Sequence, residues 1–104
     1  MRLNSLSILL FCLISGCVDT VKVAPSILEL GVLTDIPRQE LGRELYVSRC
    51  TKCHNALRIT RYSKTQWVEI LPDMTYRSKF TIAQTEAVTA YIQCVLHSAA
   101  TTAN

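Results

Sequence analysis

The pentapeptide Cys50-Thr51-Lys52-Cys53-His54 constrains the chain more than any other feature. Its pattern, C-x-x-C-H, is that of a covalent attachment site for a c-type haem. Two thiols at this spacing reach the two vinyl groups of one porphyrin, and the histidine that follows supplies the proximal ligand of the iron. With five cysteines and two histidines in 104 residues, random placement would give the pattern in about 0.4 % of such chains.

Two other uses of a C-x-x-C pair are disfavoured by the rest of the sequence. A thiol redox motif would be surrounded by alternating strands and helices, and a zinc site would need a second cysteine pair or a spaced histidine pair. Neither pattern is present. Because C-x-x-C-H occurs once, we predict one haem c, bound covalently through Cys50 and Cys53 and ligated by His54.

The N-terminal residues predict export. Met1 and Arg2 precede an apolar run at residues 6–14 that is too short to cross a bilayer as a helix and is typical of a signal peptide. The tetrapeptide Ile14-Ser15-Gly16-Cys17 resembles the lipobox of bacterial lipoproteins. That resemblance implies removal of residues 1–16, lipidation of Cys17, and a periplasmic protein anchored to the inner or the outer membrane of a Gram-negative bacterium. The alternative is an ordinary secretory signal.

Residues 17–36 are expected to form the lipidated tether, although they are unusually apolar for a free linker. Pro25 and Gly31 interrupt a series of aliphatic residues: Val21, Val23, Ile27, Leu28, Leu30, Val32 and Leu33. We favour the interpretation that part of the tether covers apolar surface of the following domain. Docking on a membrane partner is the alternative.

The haem domain is predicted at residues 37–98 and begins with a helix. Pro37 suits a first helical turn, and residues 38–50 follow. Gly42, Tyr46 and Cys50 are four residues apart and share a face of that helix. Since glycine has no side chain, another helix can approach Gly42 closely.

A second helix is predicted to start at Ser63, where S-x-x-Q forms a capping box with Gln66. Trp67, Ile70 and Leu71 give it a short apolar face. Pro72 is expected to perturb or end this helix, which would put Met74 just beyond it and make residues 75–80 a polar connection.

The last helix is predicted from a cap at Thr81, with Gln84 three positions later. Its apolar residues show the strongest helical periodicity in the chain: Val88, Tyr91, Ile92, Val95 and Leu96. Residues 99–104 are small and polar, so we predict a disordered tail. No segment has the pattern of a strand, and the predicted fold class is all-α.

These motifs together resemble a small class I cytochrome c. The resemblance rests on the series Gly42, Tyr46, Cys50, Cys53 and His54, followed by a methionine and a last helix with Tyr91-Ile92, and it covers about residues 38–97. It implies three to four helices around one haem, with crossed N- and C-terminal helices that bring Gly42 and Tyr46 against Tyr91. It implies electron transfer rather than enzymatic catalysis.

The resemblance also bears on the sixth ligand of the iron. Met74 is the only methionine outside the leader, and its position seven residues after Trp67 matches a subgroup of bacterial cytochromes. It implies Met74 as the axial ligand. His97 and an open, five-coordinate iron are the alternatives, and the latter would favour a haem sensor or ligand-binding module. Residues 55–62 lack the proline that many relatives have after the motif, so the partner of His54 is unassigned.

Two further features concern partners. Cys94, at the edge of the last helix's apolar face, is expected to be a small buried residue, with an intermolecular disulfide or a thiol on a partner surface as the alternatives. Five cations and no acid surround the haem motif: Arg49, Lys52, Arg58, Arg61 and Lys64. They form either a solvated face that also pairs with the haem propionates or a docking surface for an acidic redox protein. Nothing in the sequence indicates binding to nucleic acid.

Overall fold

The computed structural model describes residues 23–31, 34–50 and 57–102, and within these ranges the protein is all-α with no strand. We number four α-helices in chain order. They are α1 (Ile27–Leu30), α2 (Ile36–Ser48), α3 (Lys64–Arg77) and α4 (Ile82–Thr102). A short 3-10 helix, Ile59–Arg61, precedes α3. The prediction of an all-α fold is confirmed at this level.

The helix starts follow the capping residues of the sequence. In the capping box of α3, the Ser63 hydroxyl accepts from the Gln66 N–H at 3.2 Å and the Gln66 side chain accepts from the Ser63 N–H at 2.8 Å. Thr81 and Gln84 form the same pair of bonds before α4, at 3.2 and 2.9 Å. Each box satisfies two backbone donors that a helix leaves unpaired at its start. Both predicted caps are confirmed.

Helices α2 and α4 pack directly against each other and form the centre of the fold. Gly42 has no room for a side chain, because a Cβ atom at this position would be 2.0 Å from the carbonyl oxygen of Ala87 and 2.7 Å from the Cβ of Tyr91. One turn further along α2, the Tyr46 ring lies 6.3 Å from the Tyr91 ring with the planes tilted by 49°. The predicted contact of Gly42 and Tyr46 with Tyr91 is therefore confirmed.

Around this contact lies one apolar core to which every described helix contributes. Its fully buried side chains include Tyr46, Ile59, Val88, Tyr91 and Ile92. A second set packs at its border: Val23, Leu30, Val47, Tyr62, Ile70, Leu71, Met74, Phe80 and Leu96.

Residues 23–31, which we call the strap, belong to this core rather than to a free tether. Ala24 and Ile27 are buried in it, and the Ser26 hydroxyl caps α1. Gly31 ends α1 with a φ of 72°, a conformation that glycine adopts without strain. The interpretation that part of the tether covers the domain is thus supported by burial. Burial of Ala24 and Ile27 offsets the entropy lost when the strap is ordered.

Helix α3 continues through Pro72 to Arg77, so of the two predicted effects of Pro72, perturbing or ending the helix, the second is wrong. Proline removes one backbone donor, but the residues beyond it have compensating contacts. Thr75 is buried, and its hydroxyl donates to the carbonyl of Leu71 at 2.9 Å. Arg77 pairs with Asp73 at 2.9 Å on the exposed side. Met74 consequently lies inside a helix rather than in a connection.

Helix α4 also extends further than predicted. It is helical to Thr102, where the sequence predicted a disordered tail from Ala99. The Ser98 hydroxyl donates to the carbonyl of Leu30 in the strap at 3.2 Å, which fixes the last turns of α4 to the rest of the fold. Within the described ranges, no helix has both the length and the apolar character needed to cross a membrane. The leader and Cys17 lie outside the described residues.

Candidate functional site

Cys50 lies directly after α2, which has Arg49 as its C-terminal cap. Its side chain is buried among the core residues. Burial raises the pKa of the Cys50 thiol to about 11, and the positive charge of Arg49 opposes this only in part. Cys53 and His54, the other two residues of the motif, lie outside the described residues.

Tyr46 fixes the first described residue after the motif to α2. Cys50 follows the C-terminal cap of α2, four residues after Tyr46, and both side chains are buried in the core. On the other side of the motif, the Tyr46 hydroxyl donates a hydrogen bond to the carbonyl of Leu57. Residues 50 and 57 are thus both tied to the last turns of α2.

Beyond Leu57 the chain is fixed by an aromatic pair. The Trp67 indole Nε1–H donates to the carbonyl of Ile59 at 2.8 Å, and this bond is buried. The Tyr62 ring stands edge-on to the Trp67 ring with centroids 5.6 Å apart. The tryptophan therefore fastens the segment after the motif onto α3. The sequence predicted Trp67 as part of an apolar face and as the residue seven positions before Met74, but not this hydrogen bond to Ile59.

Met74 lies on the inward side of α3, together with Trp67 and Ile70. These residues recur at i, i+3 and i+7, and Met74 is half-buried against the core. A thioether on the core side of a helix is suitably placed either for packing or for ligation of a metal within the fold.

Arg49 links the end of α2, beside Cys50, to the end of α3, beside Met74. Its guanidinium donates to the carbonyl of Ser78, and the Ser78 N–H donates to the carbonyl of Met74 at 3.0 Å. The guanidinium also lies 4.8 Å from the centre of the Phe80 ring, within the range of a cation–π contact. The residue that precedes Cys50 is thus bonded to the turn that follows Met74 at the end of α3.

A groove with a cavity volume of about 400 Å³ runs between α3 and α4. Its walls are mainly apolar and come from residues one turn apart on the two helices: Trp67, Val68, Leu71, Ile92 and Leu96. Among the described residues that line it, Lys64 alone is charged. Met74 is not among its lining residues, so this groove and the Met74 side of α3 are separate features.

His97, the alternative predicted ligand, is exposed on α4 and lines a second pocket with Lys64 and Gln93. It lies about one and a half turns beyond the buried Ile92. Cys94 is buried, as the sequence predicted, and burial raises the pKa of its thiol.

The cations of the described residues differ in their contacts. Arg49 is partly buried by its hydrogen bond to Ser78 and its contact with the Phe80 ring. Arg58, Arg61 and Lys64 are exposed. Arg61 lies 5.9 Å from the centre of the Tyr62 ring. Lys52 lies outside the described residues. Three exposed cations therefore occur on the segment that follows the motif.

Within residues 23–31, 34–50 and 57–102, no three histidine, cysteine, aspartate or glutamate side chains cluster as a metal site would require. In comparisons with protein-family models, curated protein sequences and solved structures, the chain matches none of them. Of the predicted haem-binding residues, the described ones are Cys50, with a buried thiol, and Met74, with a half-buried thioether. Both donor types suit a covalently attached, sulfur-ligated haem.

Proposed function

We propose that this chain is an exported, lipid-anchored c-type cytochrome that transfers electrons and has one covalently bound haem. The observation on which the proposal depends is the C-x-x-C-H motif at residues 50–54. In the proposed fold, that of a small class I cytochrome c, α2 and α4 are the crossed N- and C-terminal helices. The Gly42–Ala87 and Tyr46–Tyr91 contacts support this assignment.

In this proposal Cys50 and Cys53 form the thioethers, His54 is the proximal ligand and Met74 the distal ligand. A haem held in this way supplies a one-electron couple between ferrous and ferric iron, and an axial methionine raises its reduction potential relative to two histidines. The link from Arg49 through Ser78 to Met74 supports the assignment, because it joins the residue before Cys50 to the last turn of the helix that contains Met74.

In this function the polypeptide holds the ligands of the haem and binds the redox partners. The Tyr46–Leu57 and Trp67–Ile59 hydrogen bonds hold the segment that returns from the motif. Arg58, Arg61 and Lys64 are exposed on that same segment and would attract an acidic redox protein. Since such charges chiefly accelerate encounter, the rate of electron exchange should fall as the salt concentration rises.

The deciding experiment is an optical spectrum of the ferric protein, produced together with a haem-attachment system. A weak long-wavelength charge-transfer band from a sulfur–iron bond is expected in the wild type and should disappear in Met74→Ala. His97→Ala is the matched control and should retain the band. A wild type with a high-spin spectrum and no such band would refute axial ligation by Met74, and the five-coordinate sensor would then be the better hypothesis.

Export and anchoring are tested separately by mass spectrometry of the N-terminal peptide. We expect residue 17 to be the first residue, with acyl groups on its sulfur and its amino group. Cys17→Ser should release the haem-loaded protein from the membrane fraction without changing its spectrum. An unmodified N-terminus at another residue would replace the lipoprotein with an ordinary secreted cytochrome.

A further inference from the structure

The strap is fastened to the helical domain by three hydrogen bonds to its backbone carbonyls. Arg43 Nε donates to Ala24 at 3.0 Å, the Tyr91 hydroxyl donates to Pro25 at 2.8 Å, and the Ser98 hydroxyl donates to Leu30 at 3.2 Å. These donors come from α2 and from two turns of α4. Together with the burial of Ala24 and Ile27, they fix the path of the chain between residues 24 and 30.

Because the strap is fixed to the domain, only the residues before it can act as a tether to the proposed anchor. Only residues 18–22 lie between Cys17 and the first strap residue, Val23. Six residue steps span at most roughly 20 Å when fully extended. A flexible chain of that length has a typical end-to-end distance of about 13 Å. A tether that stayed free up to residue 36 would be about three times as long in residues and would let the domain turn in any direction.

We infer that the strap side of the domain is its membrane-proximal face, with Leu28 in contact with the headgroup region of the bilayer that holds the lipid anchor. The inference rests on the proposed lipidation of Cys17. A short tether that ends in a fixed strap holds this side of the domain nearest to the anchor. The haem domain then has a defined orientation at the membrane.

The exposed residues of this face suit a lipid surface. Leu28 is 81 % exposed, although Ile27 beside it is buried in the core. Next to Leu28, α2 presents Glu40, Arg43 and Glu44. A leucine among mixed charges fits zwitterionic headgroups better than a strongly anionic surface. One leucine is too small to bind a membrane alone, so the anchor supplies attachment and Leu28 supplies orientation.

The test uses the full-length, haem-loaded protein reconstituted through its own anchor into vesicles of phosphatidylcholine and phosphatidylethanolamine. A nitroxide label is placed by Leu28→Cys or, as the matched control, by Ile82→Cys, which is 82 % exposed at the start of α4. Both variants also contain Cys94→Ala. The ratio of label collisions with oxygen, which dissolves in lipid, to collisions with a water-soluble nickel chelate is measured. We expect at least a threefold higher ratio at position 28 than at position 82, and equal ratios would overturn the inference.

A second variant tests whether the short tether is the cause. Twelve glycine and serine residues are inserted between Thr20 and Val21, which leaves the lipobox and the strap intact. We expect the ratio at position 28 to fall to that at position 82, and an unchanged ratio would overturn the role of the tether. The mass of the N-terminal peptide separates the two proposals. An unlipidated Cys17 refutes the anchor and this inference together, whereas a lipidated protein with equal ratios refutes the inference alone.

Discussion

A Cβ atom on Gly42 would lie 2.0 Å from the carbonyl oxygen of Ala87, so α2 and α4 are in contact at the backbone itself. Gly42→Ala should therefore destabilise the haem-loaded protein, although alanine favours a helix by about 1 kcal/mol over glycine. The overlap is with backbone atoms, which cannot move without separating the helices. We expect a loss of about 2–3 kcal/mol in the free energy of unfolding, measured by urea denaturation.

The control for this variant is Glu40→Ala, an exposed position on the same helix. Its effect should be within about 0.5 kcal/mol of the wild type. If Gly42→Ala were as stable as Glu40→Ala, the close approach of α2 to α4 would be refuted.

Two neighbouring aliphatic residues of the strap should differ in their contribution to the free energy of unfolding. Ile27 is 3 % exposed and lies in the core, whereas Leu28 is 81 % exposed. Ile27→Ala should cost about 2–4 kcal/mol in the free energy of unfolding of the haem-loaded protein in detergent, because it leaves a cavity. Leu28→Ala removes a side chain of the same size and should cost less than about 0.5 kcal/mol. Equal effects would mean that residues 23–31 form a free tether.

The turn between α3 and α4 contains a lysine in a conformation that favours glycine. Lys79 has a φ of 55°. The N–H groups of Lys79 and Phe80 donate to the carbonyls of Tyr76 and Thr75 at 3.1 and 3.0 Å. This is the Schellman pattern, in which the left-handed residue after a helix is usually glycine. Lys79→Gly should therefore stabilise the protein by about 0.5–1 kcal/mol.

Lys79→Ala separates backbone strain from charge in this experiment. It removes the same positive charge but retains the Cβ atom that makes the left-handed conformation costly. The glycine variant should have a higher thermal midpoint than the alanine variant. A gain of equal size in both would assign the effect to charge and would contradict the strained turn.

Because of the buried Tyr46, the free energy of unfolding should decrease at alkaline pH. Burial, with smaller contributions from the nearby Cys50 and Tyr62, raises the pKa of Tyr46 to about 12, compared with an ordinary value of 10.0. The unfolded chain loses this proton near pH 10 while the folded protein retains it. The stabilising contribution is therefore complete below pH 10 and is lost as the pH rises towards 12.

Tyr46→Phe should therefore have a lower free energy of unfolding than the wild type at pH 7, and the difference between the two proteins should become smaller at pH 11. At pH 7 the variant loses the hydrogen bond to Leu57, which is worth about 0.5–1.5 kcal/mol. At pH 11 the Tyr46 hydroxyl is ionised in the unfolded chain but protonated in the folded protein, and this difference lowers the free energy of unfolding of the wild type. The phenylalanine variant has no such proton. Urea denaturation at both pH values measures the difference, and a constant gap between the two proteins would contradict the raised pKa.

The sequence was sufficient for features set by neighbouring residues and by a strong repeat. The capping boxes at Ser63 and Thr81 determine where α3 and α4 begin, and both are local patterns. The contact of Gly42 with Tyr91 was predicted from the resemblance to a small class I cytochrome c, and the structure shows this contact between α2 and α4. The capping boxes involve residues only three positions apart, so the sequence specifies them directly, whereas the contact of Gly42 with Tyr91 is long-range and required the resemblance.

Features that depend on distant contacts were harder to predict. Pro72 is a local signal for the end of a helix, but the burial of Thr75 and the pairing of Arg77 with Asp73 keep α3 intact beyond it. The strap is held by side chains up to 68 positions away in the chain, as in the bond from Ser98 to Leu30. The sequence did not predict the role of Arg49 for the same reason. Its partners lie near position 80, and its charge indicated only a solvated face or a docking surface.

The last prediction concerns Arg49 as a residue that positions Met74. Its guanidinium holds Ser78, whose N–H is bonded to the Met74 carbonyl, and it packs on Phe80. Arg49→Gln should loosen this end of α3 and weaken the proposed sulfur–iron bond. The charge-transfer band of the ferric protein should therefore disappear at a temperature at least about 5 °C lower than in the wild type, which corresponds to roughly 1 kcal/mol for a domain of this size. Arg58→Gln removes the same charge from an exposed arginine and should leave that temperature unchanged. An equal shift in both variants would assign the effect to charge, because a contact between Arg49 and the turn after α3 predicts a shift in Arg49→Gln alone.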